Sequence, residues 1–320
     1  MSLRKSGRYC RESRRNQKKG SGEKKGIRSL SFQLSNLQGY ITSKQKGWTS
    51  EKVLKVAQDL YEKKLITYPR TSSSVLDESL KEKAARVLDT IKQGLPYEEE
   101  LVFTDSKRIF DSKKVESHSA IIPTYVAPKN LSPDEKIVYE AVRNRFAAQF
   151  LPVSESEETK LIIEPEEAGC GGVFHARGKV QLVAGWKKAE EVGAKEVLMP
   201  QVKEGELLRM KTLSVKEVVK KPPKHHTEKT LLRVMETCGK RYEEEDSEEM
   251  MMAILSGFSI GTPATRAETI RRLKEIGYVA AKGKSLICTE LGRMMVETFP
   301  VKELFDLEYT GKLEKDSRGY

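Results

Sequence analysis

Cysteine is scarce in this sequence of 320 residues: Cys10, Cys170, Cys238 and Cys288 are its four, they lie far apart, and none forms a C-x-x-C pair. That scarcity excludes a disulfide framework and a zinc ribbon, and it fits a reducing, cytoplasmic setting. Long apolar runs are missing too. The residues are 38% hydrophobic, enough for packed cores, but no stretch is long enough to span a bilayer. No signal peptide opens the sequence, so no membrane partner is expected. His225-His226 have no third ligand at metal-binding spacing and read as linker residues.

The net charge of +11 suggests nucleic acid until it is located along the chain. Residues 1–28 carry eleven basic side chains against two acidic ones, a net +9, which leaves only +2 for the rest. This polar stretch reads as a flexible basic tail or an incomplete strand, able to bind polyanions without sequence preference. DNA binding by the body must then come from a local patch. The acidic run from Glu243 to Glu249 reads as a solvated face or loop rather than a metal site.

Length exceeds the usual single domain, so two or three domains are expected. Residues 29–154 read as helical. Thr49 or Ser50 caps a helix with Val53, Val56, Ala57, Leu60 and Tyr61 as its stripe. A second helix is predicted from Asp77 to Lys92, and Ser132-Pro133-Asp134-Glu135 is a capping box with Pro at the first helical position. Arg143 and Arg145 on that helix are within reach of a phosphate, though solvation is the simpler expectation. Residues 155–221 read as β-rich, with strands over 160–164, 173–186 and 207–219 and with Gly171-Gly172 and Arg177-Gly178-Lys179 as turns. Residues 222–320 read as mainly helical: a helix over 228–237, another opened by Gly261-Thr262-Pro263, a hairpin through Lys282-Gly283-Lys284 and a helix from Glu290. Helix, hairpin, helix suggests winged-helix-like packing.

Chemistry concentrates in Leu65-Ile66-Thr67-Tyr68-Pro69-Arg70-Thr71. Pro69 disfavours helical geometry at Tyr68, which should therefore be extended. Arg70 then leaves the same face as Tyr68, and its guanidinium can fork onto phosphate oxygens. A phenol with an ordinary pKa near ~10 is a weak nucleophile unless the site supplies positive charge. Short matches arise by chance, and on these seven residues alone a surface turn is the preferred reading.

Three further blocks change that reading: Phe32-Gln33-Leu34-Ser35-Asn36-Leu37-Gln38, His118-Ser119-Ala120-Ile121-Ile122-Pro123-Thr124, and Gly261-Thr262-Pro263-Ala264-Thr265-Arg266-Ala267-Glu268-Thr269-Ile270. In this order, with Ile66–Thr71, they resemble the cleavage core of the type IA DNA topoisomerases, and most the topoisomerase III branch. One departure is Ser72, where the family more often has an acidic residue. The resemblance implies a multidomain α+β fold: a helical, winged-helix-like domain carrying a nucleophilic Tyr, a β-rich arch or hinge over 155–221, and a mainly helical DNA-binding domain over 222–320.

The resemblance also implies roles. Tyr68 would attack a single-stranded DNA phosphate, with Arg70 and His118 supporting the phosphate and Gln38, Thr262, Thr265 and Arg266 contacting DNA. Structural readings stand beside several of these: Gln38 as an ordinary Gln, His118 as a hydrogen-bonded residue, and Arg266 as a surface Arg on a well-capped helix. Mg²⁺ is implied for the full-length enzyme, held by an acidic cluster of a Toprim domain, in cis or in trans. No D-x-D occurs in this sequence, so those ligands are not expected here and the chain alone is expected to be inactive. A catalytically silent single-stranded DNA-binding module is the alternative. A tyrosine recombinase is disfavoured, because its several Arg and His residues surround a Tyr late in the chain.

Overall fold

The computed structural model describes residues 18–164, 173–193, 195–203, 217–240 and 257–317, with 205, 206, 208, 212, 214, 249 and 253. The chain folds into two compact units, one of Met1–Arg28 with Pro152–Pro222 and one of Ser29–Leu151 with Pro223–Tyr320.

In the first unit, β1 (Lys18–Gly26), β2 (Ser154–Ile163) and β3 (Phe174–Val183) form an antiparallel sheet in the order β1-β2-β3. Part of the basic stretch is therefore strand. A partner strand overrides its Gly- and Lys-rich composition, with Gly26 opposite Ser154 and Lys18 opposite Ile162. Lys24 and Lys179 flank Glu158 at 3.0 and 3.1 Å and hold its carboxyl below the usual range by hydrogen bonding. Arg177-Gly178-Lys179 is not a turn. Gly178 sits within β3 opposite Thr159, and a Cβ there would meet Met199 Cγ at 2.3 Å and the Val197 carbonyl at 2.7 Å. The glycine thus answers to a close approach by residues 197–199. Gly171-Gly172 and most of the strand expected over 207–219 lie outside the described residues, as does most of the acidic run.

Side-chain caps open several helices of the second unit. In α1 (Leu34–Lys44), the Gln33 side chain accepts from Ser35 N; in α2 (Ser50–Glu62), Thr49 Oγ1 accepts from Lys52 N at 3.2 Å. The segment predicted as one helix from Asp77 begins as a 3₁₀ turn, Glu78–Leu80, capped by Asp77, and continues as α3 (Lys81–Ile91). Helix α4 (Pro133–Ala148) has the reciprocal Ser132 and Glu135 capping box.

Leu37, Ile41, Val53, Ala57, Leu60, Val138 and Val142 meet in one core with Phe32, Ile66 and Ile121. Each such buried aliphatic contributes roughly 1.5–3 kcal/mol. Arg145 is half-buried rather than solvated: its guanidinium lies 4.2 Å over the Phe32 ring and Nη1 donates to the Leu30 carbonyl. In β3 the chain is followed by a short helix, α5 (Lys187–Glu190), of the first unit.

The rest of the second unit comprises α6 (Glu228–Thr237), α7 (Pro263–Ile276), the hairpin of β4 (Val279–Lys282) and β5 (Ser285–Cys288), α8 (Glu290–Thr298) and α9 (Leu307–Ser317). Gly277 ends α7 at φ 88°, a left-handed geometry that favours glycine. Leu232, Met235 and Ile270 join α6 to α7. His226 is not in a free linker: its carbonyl accepts from Leu286 N at 2.6 Å and Thr227 bridges Ser285. No helix of the described residues is long and apolar enough to cross a membrane.

Candidate active site

Tyr68 owes its position to the end of α2. Lys64 adopts φ 60°, Leu65 N donates to the Leu60 carbonyl, and the chain leaves extended beside residues 118–124. Ile66 bridges Pro123, and Thr67 N donates to the Ile122 carbonyl at 2.9 Å. The Thr67 hydroxyl adds two bonds, donating to the Ala120 carbonyl and accepting from Ile122 N, both at 3.0 Å. Ile121 N then donates to the Phe32 carbonyl at 2.8 Å, and Leu34 N to the Thr71 carbonyl at 3.0 Å. Three of the four sequence blocks are thereby stitched into one backbone network.

That network sets side chains against each other. Thr71 Oγ1 donates to the His118 carbonyl at 2.8 Å, and the His118 ring lies 4.6 Å from the Tyr68 ring at a tilt of 54°. Tyr61 of α2 meets Tyr68 edge-on at 5.3 Å. Tyr68 is half-buried, whereas Arg70 and His118 are exposed. The rings hold the phenol in place and leave its surroundings open to solvent.

The fourth block arrives from α7. Gly261 turns at φ 62°, Thr262 N donates to Thr265 Oγ1 at 3.0 Å, and Pro263 opens the helix. Thr262 and Thr265 are exposed at this N-terminus, where free N–H groups and the positive dipole end favour an anion. Thr262, Pro263 and Ala264 line a cleft of about 210 Å³ whose opposite wall carries Arg70, Thr71 and Ser72. Among the described residues Arg70 pairs with no carboxylate. Glu116 also lines the cleft, and Ser72 Oγ donates to its Oε2 at 2.8 Å. A carboxylate thus reaches the wall at Ser72 from the neighbouring segment.

Two residues expected to touch DNA lie inside instead. Gln38 is fully buried, its Nε2 donating to the Ser50 carbonyl at 2.9 Å, so it ties α1 to α2. Arg266 is 1% exposed. Its Nε and Nη2 donate to the Ile260 and Gly261 carbonyls, both at 2.9 Å, and Nη1 faces Glu236 Oε1 and Ser35 Oγ at 3.4 Å. The guanidinium therefore folds back to fix the turn before α7, while Arg266 still contributes to the lining of the Arg70 cleft; the Gln38 amide is turned inward to Ser50.

Buried acids are what the sequence reading missed. Glu236, 2% exposed, accepts from Gln33 Nε2 at 2.7 Å. Glu228 accepts from Ser50 N and Oγ at 2.5 Å and pairs with Lys274. Glu236 follows Leu232 by four residues and so shares the inward face of α6, a signal available beforehand. Among the described residues no group of three or more His, Cys, Asp or Glu side chains could hold a metal ion.

A family model described as DNA topoisomerase matches residues 11–316. This chain belongs to that family. The DNA topoisomerase 3 of Haemophilus influenzae is 32% identical over 284 residues, covering 85% of this chain and 42% of the relative. That of Bacillus subtilis is 30% identical over 301 residues, covering 87% and 40%. The chain spans about two fifths of the length of these curated relatives. In fold it is similar to the full-length topoisomerase I from Thermotoga maritima, with a TM-score of 0.68, 24% identity, and coverage of 95% of this chain and 48% of that one. In this topoisomerase chain, Arg70 and Thr71 of one block and Thr262, Pro263, Ala264 and Arg266 of another, distant in sequence, line one cleft.

Proposed function

We propose that the chain is the nucleophile-bearing part of a type IA DNA topoisomerase of the topoisomerase III kind. The observation that carries this is the 4.6 Å approach of the Tyr68 and His118 rings beside a cleft lined by Arg70, Thr71 and the N-terminus of α7, the two joined by the Thr71 hydroxyl on the His118 carbonyl. The Tyr68 oxygen attacks a phosphorus of single-stranded DNA. A P–O bond forms as the phenol gives up its proton, the bond from phosphorus to the 3′ oxygen breaks, that oxygen leaves with its electron pair and takes up one proton, and a 5′-phosphotyrosyl link remains. Attack by the free 3′-hydroxyl reverses the step, so the bond energy is retained and ATP is not consumed. Arg70 offers two parallel donors to two phosphate oxygens, His118 one more, and Thr262 with the first turn of α7 holds the adjoining strand.

Mg²⁺ does not fit this chain's described residues, which offer no ligand cluster; no step is derived through it. In this proposal the cation and the Toprim domain that holds it act together with the chain, in cis or in trans, and the chain by itself cleaves little or not at all. A cytoplasmic setting belongs to the same reading.

The test incubates end-labelled single-stranded DNA with the chain and Mg²⁺, with and without an added Toprim domain, and looks for a denaturant-resistant adduct. The expected adduct requires the Toprim domain and vanishes in Tyr68→Phe, which still binds the strand. Tight binding without an adduct under either condition would overturn the enzymatic reading and leave a catalytically silent single-stranded DNA-binding module.

A further inference from the structure

A second cleft, of about 270 Å³, opens in the same unit between the α1–α2 turn, the start of α6 and the β4–β5 hairpin. Its walls include Trp48, Thr49, Lys229, Gly283 and Lys284. None of the four sequence blocks supplies its lining. Trp48 is half-buried, packed against the core on one side, with Lys52 Nζ 4.3 Å from its ring centroid. The hairpin tip leans in: Lys284 Nζ donates to the Ser43 carbonyl at 2.5 Å.

Two exposed lysines, Lys229 and Lys284, line this cleft. The acid that lines it, Glu228, is buried and already occupied by Ser50 and Lys274. A mostly apolar floor with an indole, flanked by these ammonium groups, is the arrangement that takes a planar base on the aromatic and its phosphates on the cations. An acidic peptide would use the lysines and leave the indole without a matching planar partner.

We infer that the Trp48 cleft is a nucleotide subsite for single-stranded DNA, seating a base against Trp48 and its flanking phosphates on Lys229 and Lys284. The inference rests on the reading of the chain as a single-strand binder and adds a contact separate from the cleft at Arg70. Because the lining comes from both the 42–49 segment and the 281–286 hairpin, a strand held there bridges two parts of the unit that are distant in sequence.

Trp48 and Trp186 are the two tryptophans of the chain, which makes the test direct. Fluorescein-labelled oligothymidylate is titrated into the full chain, followed by anisotropy, and unlabelled oligothymidylate into Trp186→Phe, followed by quenching of the remaining indole. Saturable quenching at the affinity given by anisotropy is expected. Trp48→Ala should weaken binding by about 5- to 100-fold, the loss of one stacked base, while Trp48→Phe keeps most of the affinity. Should Trp48→Ala disturb folding, Lys229→Glu and Lys284→Glu serve instead: each should weaken binding and lower the salt slope by about 0.7. Wild-type affinity and slope in the lysine variants, with no quenching of Trp48, would overturn the subsite and leave strand binding at the Arg70 cleft intact. No binding by any form, the wild type included, would overturn both readings.

Discussion

Removing the Arg266 guanidinium should be among the costliest single changes in the second unit. Its partner Glu236 is 2% exposed and keeps Gln33 Nε2 at 2.7 Å and Arg233 at 3.7 Å as its other contacts. Arg266→Met would strand that carboxylate with less positive charge and take donors from the Ile260 and Gly261 carbonyls. Breaking one side of a buried pair costs about 3–5 kcal/mol. Replacing both sides, Arg266→Met with Glu236→Met, should cost clearly less, because no charge is then left without its partner. The assay is urea unfolding with one indole per unit: Trp48 reports the second unit and Trp186 the first. With slopes of about 1–3 kcal/mol/M, the Trp48 transition should move down by about 1–5 M while the Trp186 transition stays. A shift worth less than about 1 kcal/mol, or a double variant no better than the single, would refute the assignment of Arg266 as an internal clamp.

Other outcomes follow from the same geometry. Arg70→Ala should weaken strand binding and reduce its salt slope by about 0.7, measured by anisotropy, since Arg70 is an exposed cation on the cleft wall. Gln38→Ala should lower the Trp48 unfolding midpoint by about 1 kcal/mol through the lost bond to Ser50, and leave strand affinity unchanged. Gly178→Ala should destabilise the first unit by about 1–3 kcal/mol, seen at Trp186, because the methyl would press on Met199 and the Val197 carbonyl. Glu135 is held below the usual carboxyl range first by the hydrogen bond from Lys63 and then by that from Ser132 N. Its folded value is the lower one, so its contribution is present at neutral pH and fades as pH falls through 4.5 and below. Glu135→Gln should therefore lower the midpoint by about 1 kcal/mol at neutral pH and by nothing in acid.

Local signals in the sequence were reliable where the physics is local. Thr49 and Ser132 cap the helices that follow them, and Tyr68 lies outside α2, which ends at Glu62. Their hydrogen bonds close within a few residues, so spacing alone exposes them. Inside versus outside was harder for long polar side chains. Arg266 reads as a surface residue because what buries it, Glu236 and Ser35, comes from α6 and α1 and not from its own helix. Gly178 misled for a related reason: a glycine between Arg and Lys resembles a turn, and only the approach of residues 197–199 shows why a side chain is excluded. The meeting of Tyr68 with His118 was expected from resemblance and not from any spacing, since their link is the Thr71 hydroxyl on the His118 carbonyl.

The pairing of β1 with β2 has a consequence for how the molecule assembles. Gly26 lies opposite Ser154, so the β1–β2 ladder closes a loop of roughly 130 residues. The entropy of that closure grows only with the logarithm of loop length, but the search is slow compared with forming helices. During synthesis β1 emerges before β2 and waits for that partner until Ser29–Leu151 and β2 itself have been made. Those intervening residues can fold meanwhile, which shortens the effective loop by bringing its ends together. The sheet is then the late step, and conditions that delay the helical part prolong the time during which a lysine-rich strand stands open to the wrong partner.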